Sequence, residues 1–261
     1  MNPHLPTPHK PRVCAVNYLN TVPLVWGMLH GAQRGRFDLE FCLPSECADR
    51  LACGAADIGI VPSIELERQG LELIPGAGIA CRGAVRSILL FTKGSSEKIR
   101  TLAADSSSRT SVELARIVLA RRYGAVPSVD SFPPDLPSML QAADAALLIG
   151  DPALRAGAAH LPYTVLDLGE EWMEMTGLPM VFAVWGCRKE AASADLAPSF
   201  ADSCRFGRRH LEQIARREGP PRQLSEALAL EYLSRHIVNE LGENEYEGMR
   251  LFLRYARELE P

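Results

Sequence analysis

The chain has 261 residues, 47% of them hydrophobic, with 28 Lys and Arg against 32 Asp and Glu and a formal net charge of -4. That length suits one large domain or two lobes around an extensive core, and the acidic balance argues against a nucleic-acid partner. The seven cysteines follow no regular framework and read as buried thiols of a reducing compartment, which argues against a disulfide scaffold.

The opening stretch MNPHLPTPHKPRV is polar and Pro-rich and lacks the apolar segment of a secretory signal, and no run is long enough to span a membrane. The expected compartment is the cytoplasm, with no membrane partner; the sequence assigns no oligomeric state. Arg12–Val16 reads as a buried strand that passes through Asn17-Tyr18-Leu19-Asn20-Thr21-Val22-Pro23-Leu24 into a helix ending near Leu29. Asn20 or Thr21 can cap that helix, and Pro23 fits its first turn. Leu39–Leu43 is a second strand, Pro44 and Ser45 open a helix that Gly54 ends, Ile58–Val61 is a third strand, and Ser63–Gln69 is a helical turn. This alternation predicts an α/β fold with a largely parallel sheet.

Leu73–Ala80 and Ser87–Phe91 are further strands, and the polar segment Lys93–Lys98 marks a boundary between lobes. Leu102–Leu119 is a strand, a hydroxyl-rich turn and a helix, with Gly124 as the helix stop. A Pro-rich connection follows through Pro137. Ala145–Ile149 is a buried strand stopped by Gly150-Asp151-Pro152, Thr164–Leu166 a short strand, Glu170–Thr176 a helix, and Met180–Trp185 a strand returning to the first lobe. Beyond it, 200–218, 224–241 and 243–259 read as three amphipathic helices with no strand between them. The expected organisation is lobe I from 1–92 plus 184–261 and an inserted α/β lobe II over 93–183. Two crossings between lobes make a hinged cleft, a common place for a small-molecule site.

Asp105, Ser106, Ser107, Ser108, Arg109, Thr110 and Ser111 precede a helical pattern. Free backbone N–H groups and the positive end of the helix dipole make such a turn an anion site, or else a solvated helix start with capping serines. No glycine-rich P-loop or lysine accompanies it, so a nucleotide phosphate does not fit. Cys42, Cys47 and Cys53 lack a C-x-x-C pair and have no histidine at ligand spacing; no metal or organic cofactor is expected.

Six separated stretches, in order from about Arg12 to Trp185, fit one family. They are Tyr18-Leu19-Asn20 with Pro23-Leu24; Gly54 through Asp57-Ile58-Gly59-Ile60-Val61-Pro62-Ser63; Val85-Arg86-Ser87-Ile88; Asp105 with Ser107–Ser111; Asp144 through Ile149-Gly150-Asp151; and Trp172 through Thr176-Gly177-Leu178-Pro179 to Trp185. The sequence resembles the chorismate dehydratases of the futalosine route to menaquinone, which have a two-lobed type II periplasmic-binding-protein fold. The later dihydroxynaphthoate synthase of that route carries a Cys-Pro-Asn-Asp motif that this chain lacks at Asn17–Pro23. Asn17 stands where many members have serine, which argues against a direct role for its side chain.

The resemblance implies a cofactor-independent carbon–oxygen lyase that converts chorismate to 3-[(1-carboxyvinyl)oxy]benzoate and water. It implies Ser87 and Asn20 as catalytic residues, beside the plainer readings of a strand-start serine and a helix cap. Ser107, Ser108, Thr110 and Ser111 become a carboxylate clamp. Arg109 adds a bidentate contact to that clamp or points outward into solvent. Tyr18, Ser63, Gly150 and Asp151 complete the expected binding set; Ser63 and Asp151 also fit as helix caps, and Tyr18, Trp172 and Trp185 also fit as core. No histidine falls in a matched stretch and no carboxylate pair stands out as a general base. The expectation is therefore substrate-assisted elimination, with the enolpyruvyl carboxylate taking the ring proton. The alternative is a non-catalytic solute-binding protein for a small aromatic carboxylate, which the fold alone permits.

Overall fold

A computed structural model describes residues 10–159 and 161–259; the N-terminal tail with His4 and His9 lies outside the described residues. In chain order the elements are β1 (Arg12–Val16), α1 (Val22–His30), β2 (Asp38–Cys42), α2 (Pro44–Ala52), β3 (Ile58–Pro62), α3 (Ser63–Arg68), β4 (Glu72–Cys81) and β5 (Ile88–Thr92). They continue with β6 (Thr101–Asp105), α4 (Thr110–Tyr123), β7 (Ser128–Phe132), α5 (Leu136–Ala142), β8 (Ala145–Ile149), α6 (Gly150–Ala158), β9 (Thr164–Asp167), α7 (Leu168–Thr176) and β10 (Met180–Cys187). The C-terminal region holds α8 (Leu196–Arg208), α9 (Leu211–Glu218), α10 (Glu226–Glu231), a π-helical turn over Tyr232–His236, β11 (Val238–Glu240) and α11 (Glu243–Glu258).

The strands form two mixed sheets. The first has the order β11-β4-β10-β3-β1-β2, with β1 parallel to β2 and β3, and β10 antiparallel to β3 and β4. The second has the order β7-β6-β8-β5-β9, with β6 parallel to β7 and β8, and β5 antiparallel to β8 and β9. Strands β3, β5 and β8 are buried along their whole length because helices cover both faces, which is why they read as continuous apolar runs. The expectation of a largely parallel sheet is corrected by β4, β5 and β10, which run antiparallel to their neighbours.

Ile88–Thr92 pairs with β8 and β9, so it belongs to the second sheet and not to the first. The chain changes sheets over 82–87, ahead of the polar segment expected to divide it at 92/93, and returns over 177–179 into β10. The first crossing is held by Asp167, whose carboxylate accepts hydrogen bonds from the backbone N–H groups of Val85 (2.9 Å) and Arg86 (2.6 Å). Three further differences fall in regions read as connections or helices. The Pro-rich segment contains β7 and runs into α5; Pro137 sits in the first turn of α5, where proline is tolerated. The helix expected over 200–218 breaks between Arg208 and Leu211, and the one expected over 224–241 gives way to the π turn and β11, which pairs with β4. Trp172 and Trp185 are fully buried, packed edge-on against Phe252 and Phe200, and so are core residues.

Candidate active site

A cavity opens between the sheets, at the carboxyl ends of β1, β3 and β8, the edge of an α/β sheet where ligands usually sit. Its walls are mainly apolar (Val16, Ile60, Ile79, Ile149 and Phe182 among them). The polar lining comes from Tyr18, Asn20, Ser87, Ser108, Arg109, Thr110, Ser111 and the backbone of Gly150. Segments about a hundred positions apart in sequence thus meet at one place.

Each group is positioned by local structure. Asn20 lies in the 3-10 turn between β1 and α1, and Ser87 immediately precedes β5. The Ser87 carbonyl accepts from Gly150 N–H at 2.8 Å, which locks the start of β5 to the end of β8. Asn20 and Ser87 are both buried, and the hydroxyl of Tyr232 lies between them. Asn20 Nδ2 donates to Tyr232 Oη at 3.0 Å, and Tyr232 O–H donates to Ser87 Oγ at 2.7 Å. With its oxygen accepting from Tyr232, Ser87 keeps its own proton for a partner in the cavity, and Asn20 keeps its second amide N–H. Burial pushes the Tyr232 phenol far above its ordinary value, so it remains a neutral donor.

Across the cavity stands the first turn of α4. Arg109 occupies the N-cap position and no side chain caps the turn, so the serines do not act as its cap. Asp105 braces the preceding loop: its Oδ1 accepts from Ser107 N–H at 3.0 Å and from Ser107 O–H at 2.7 Å. Burial raises the Asp105 carboxyl above its usual range. Tyr18 Oη lies 3.2 Å from Ser107 Oγ, and burial pushes that phenol up to about 12.

Some expected site residues are committed elsewhere. Ser63 O–H donates to the carbonyl of Val181 at 2.8 Å and does not line the cavity. Ser107 serves the Asp105 brace and the Tyr18 contact. Asp151 is no helix cap: its Oδ1 accepts from Leu19 N–H at 3.0 Å while Oδ2 faces Arg222 at 3.3 Å, fastening α6 to the turn after β1. Burial raises the Asp151 carboxyl, with the hydrogen bond and the arginine opposing that rise. Arg109 lines the cavity, and its guanidinium is paired with Asp49 at 2.6 Å and Glu65 at 3.0 Å on α2 and α3, so it does not point freely into solvent. Ser87 also changes sides, because it opens a strand of the same sheet that carries the α4 turn.

Tyr232 went unnoticed in the sequence because its partners lie 212 and 145 positions away and the surrounding pattern reads as plain helix. Cys14, Cys42 and Cys47 likewise meet only in the fold, with sulfur atoms within 4.8 Å of one another. Hydrogen bonds from Cys14 and Cys47 lower the Cys42 thiol, aided by Arg50. This is the set among the described residues that could hold a thiophilic ion, and it lies outside the cavity.

Comparison with known proteins gives concordant results. A family model described as menaquinone biosynthesis matches residues 11–258. The chorismate dehydratase of Thermus thermophilus is 32% identical over 219 residues, covering 77% of this chain and 79% of that protein. The chorismate dehydratase of Campylobacter jejuni is 27% identical over 181 residues, covering 68% and 67%. Among solved structures, an Archaeoglobus fulgidus protein superposes with a TM-score of 0.74 at 16% identity over 96% of this chain and 98% of that one. The periplasmic aliphatic sulphonate binding protein SsuA from Escherichia coli gives 0.66 at 15% identity over 97% and 87%. At such identities the two structures establish a periplasmic-binding-protein-like fold and nothing finer.

Proposed function

The chain belongs to the menaquinone-biosynthesis family that it matches over residues 11–258, and we infer that its interlobe cavity is the active site of a chorismate dehydratase, a hydro-lyase acting on a small molecule. The observation that carries the site assignment is the pairing of Asn20 and Ser87 in one mainly apolar cavity, facing the uncapped start of α4. Chorismate brings two carboxylates, a ring hydroxyl and an apolar ring face, and this lining offers a complement to each. The hydroxyls of Ser108, Thr110 and Ser111, with the backbone N–H groups of Thr110 and Ser111 at the start of α4, suit the ring carboxylate. The ring of Tyr18 and the backbone of Gly150 form the wall beside it.

In the proposed reaction the enolpyruvyl carboxylate of the substrate takes the proton from the ring carbon that carries the ether oxygen. The released electron pair forms the new ring double bond as the neighbouring carbon–oxygen bond breaks. The departing hydroxide takes up the proton held by the enolpyruvyl carboxyl group and leaves as water, which restores that carboxylate, and the ring becomes aromatic. The elimination is redox-neutral and aromatisation drives it, so the reading assigns the chain no cofactor. Ser87 O–H and Asn20 N–H stabilise the departing oxygen, where charge develops in the transition state. The cavity's remaining work is to hold the internal base against its proton. The family role and the seven free cysteines support a cytoplasmic setting. The non-catalytic solute-binding reading is not retained, because its support was the fold alone.

The test is incubation of purified protein with chorismate, followed by mass-resolved chromatography for 3-[(1-carboxyvinyl)oxy]benzoate. Ser87→Ala and Asn20→Ala are each expected to lower kcat by about 100-fold while moving chorismate affinity by less than about tenfold. Native turnover in both variants would overturn the residue assignment. Binding without turnover in the unaltered protein would restore the solute-binding reading.

A further inference from the structure

We propose that Tyr232 is a positioning residue for the dehydration: it relays the Asn20 amide into the Ser87 hydroxyl and so sets the direction and acidity of the proton that Ser87 offers to the leaving oxygen. The inference rests on the dehydratase reading of the cavity. Tyr232 itself does not line the cavity, so it reaches the leaving oxygen through a neighbour, and the neighbour its own proton acts on is Ser87.

The geometry leaves Ser87 little choice. A serine hydroxyl has one proton and rotates freely unless something fixes it. Here Tyr232 O–H donates to Ser87 Oγ at 2.7 Å, a short contact that fills one of its lone-pair directions and turns its proton away from Tyr232. Asn20 Nδ2 donates to the same phenol oxygen at 3.0 Å, so the chain runs in one direction from amide to phenol to serine. Hydrogen bonds aligned in this way strengthen one another, most of all where water is excluded, and Tyr232 is 1% exposed. A buried phenol also cannot shed its proton at neutral pH to reverse the chain, since desolvation keeps it neutral.

The surrounding structure fixes Tyr232 from an unusual element. It is the first residue of the π-helical turn that follows α10. The wider turn carries the chain on to β11, where the buried Asn239 donates to the backbone carbonyls of Asn20 at 3.3 Å and Gly78 at 3.0 Å. The C-terminal segment therefore holds Asn20 twice, through its side chain by Tyr232 and through its backbone by Asn239. π-helical turns recur at functional sites. Tyr232 also spans the two halves of the molecule, since Asn20 follows a strand of the first sheet and Ser87 precedes a strand of the second.

The experiment compares Tyr232→Phe, Ser87→Ala and the double variant on chorismate. Tyr232→Phe keeps the ring and removes the relay; kcat is expected to fall about 10- to 100-fold with KM within about threefold. On the Ser87→Ala background the same change should lower kcat by no more than about threefold, because the group it acts through is gone. Multiplicative effects of the two changes would overturn the proposal. Fluorinated tyrosines at position 232, which keep the fold and grade the phenol's acidity, provide a second arm: kcat should rise with donor strength, and a flat response would overturn the proposal even if Tyr232→Phe failed to fold. If the unaltered protein binds chorismate without turning it over, the dehydratase reading fails separately. The cycle is then read on chorismate Kd, where coupling supports the relay and additivity removes it.

Discussion

At Gly150 the backbone has φ near +61°, and a Cβ there would lie 2.5 Å from the ring of Tyr18. Two independent constraints thus fall on one residue: the left-handed conformation costs an L-residue about 1–2 kcal/mol, and the space for a methyl group is already filled by a wall of the cavity. Gly150→Ala is expected to lower the melting temperature by about 2–8 °C. By pushing the Tyr18 ring off its contact with Ser107, it should also raise KM for chorismate about tenfold. A melting shift with unchanged KM would separate the Tyr18 wall from substrate binding. Gly150 was legible in the sequence because a buried strand, a glycine and Asp-Pro follow one another, and that order specifies a sharp turn at a ligand edge. Asn20 and Ser87 were named from motif resemblance. Their connection through Tyr232 was not legible, because a tyrosine on an apolar helical face carries no local mark of the partners its hydroxyl will find.

The α4 start shows how one element is aimed by others. Thr110 Oγ1 accepts from Ile64 N–H at 3.3 Å, Glu113 pairs with Arg68 at 3.1 Å, and Arg109 reaches Asp49 and Glu65. All of these partners lie on α2 and α3, the helices of the first sheet, so the turn that faces the cavity is docked against the opposite lobe. Glu65 is buried, and removing Arg109 withdraws one of its charge partners. Arg109→Gln is therefore expected to favour an opened arrangement, raising KM about three- to tenfold with kcat nearly unchanged. Added salt should weaken chorismate binding in the unaltered protein more than in the variant, because screening acts on the same ion pairs; equal salt dependence would exclude a latch. The helix itself was readable from its hydroxyl-rich start, its apolar spacing and the Gly124 stop. The ion pairs that aim it were not, since charge on a helix face looks the same whether it meets water or another lobe. The same blindness moved β5 to the wrong sheet: a strand's apolar run marks its burial, while its neighbours are chosen by segments far along the chain. The edge strand β7, half exposed and set among prolines, left no such run to read.

For the molecule as a whole, the end of the first sheet remote from the cavity carries its own electrostatic clasp. Arg12 at the start of β1, Asp57 just before β3 and Arg188 just after β10 join three strand ends. Asp57 accepts from Arg12 N–H at 2.9 Å, from the Arg12 guanidinium at 2.7 and 3.1 Å, and from Arg188 at 2.9 Å. The Arg12 side chain holds the Asp57 carboxyl well below its ordinary value of 3.8, against an opposing effect of burial and with help from the Arg12 backbone N–H and Arg188. A carboxylate depressed in the folded state binds its proton more readily when unfolded. Its contribution to stability is thus fully present above about pH 4 and is lost as the pH falls through the depressed folded value. Asp105 and Asp151 have the opposite sign: raised by burial, they favour the folded state more as they protonate, so they soften the first part of an acid titration. Asp57→Asn is expected to cost about 2 kcal/mol near pH 7, the scale of a few hydrogen bonds to a charged group. The difference from the unaltered protein should shrink steadily as the pH falls below about 4, as measured by urea unfolding across the pH range. Because the clasp and the cavity sit at opposite ends of the same strands, kcat for chorismate should be unchanged in that variant wherever it remains folded. A constant stability difference down to pH 2 would mean that Asp57 stabilises the sheet by packing and not by charge.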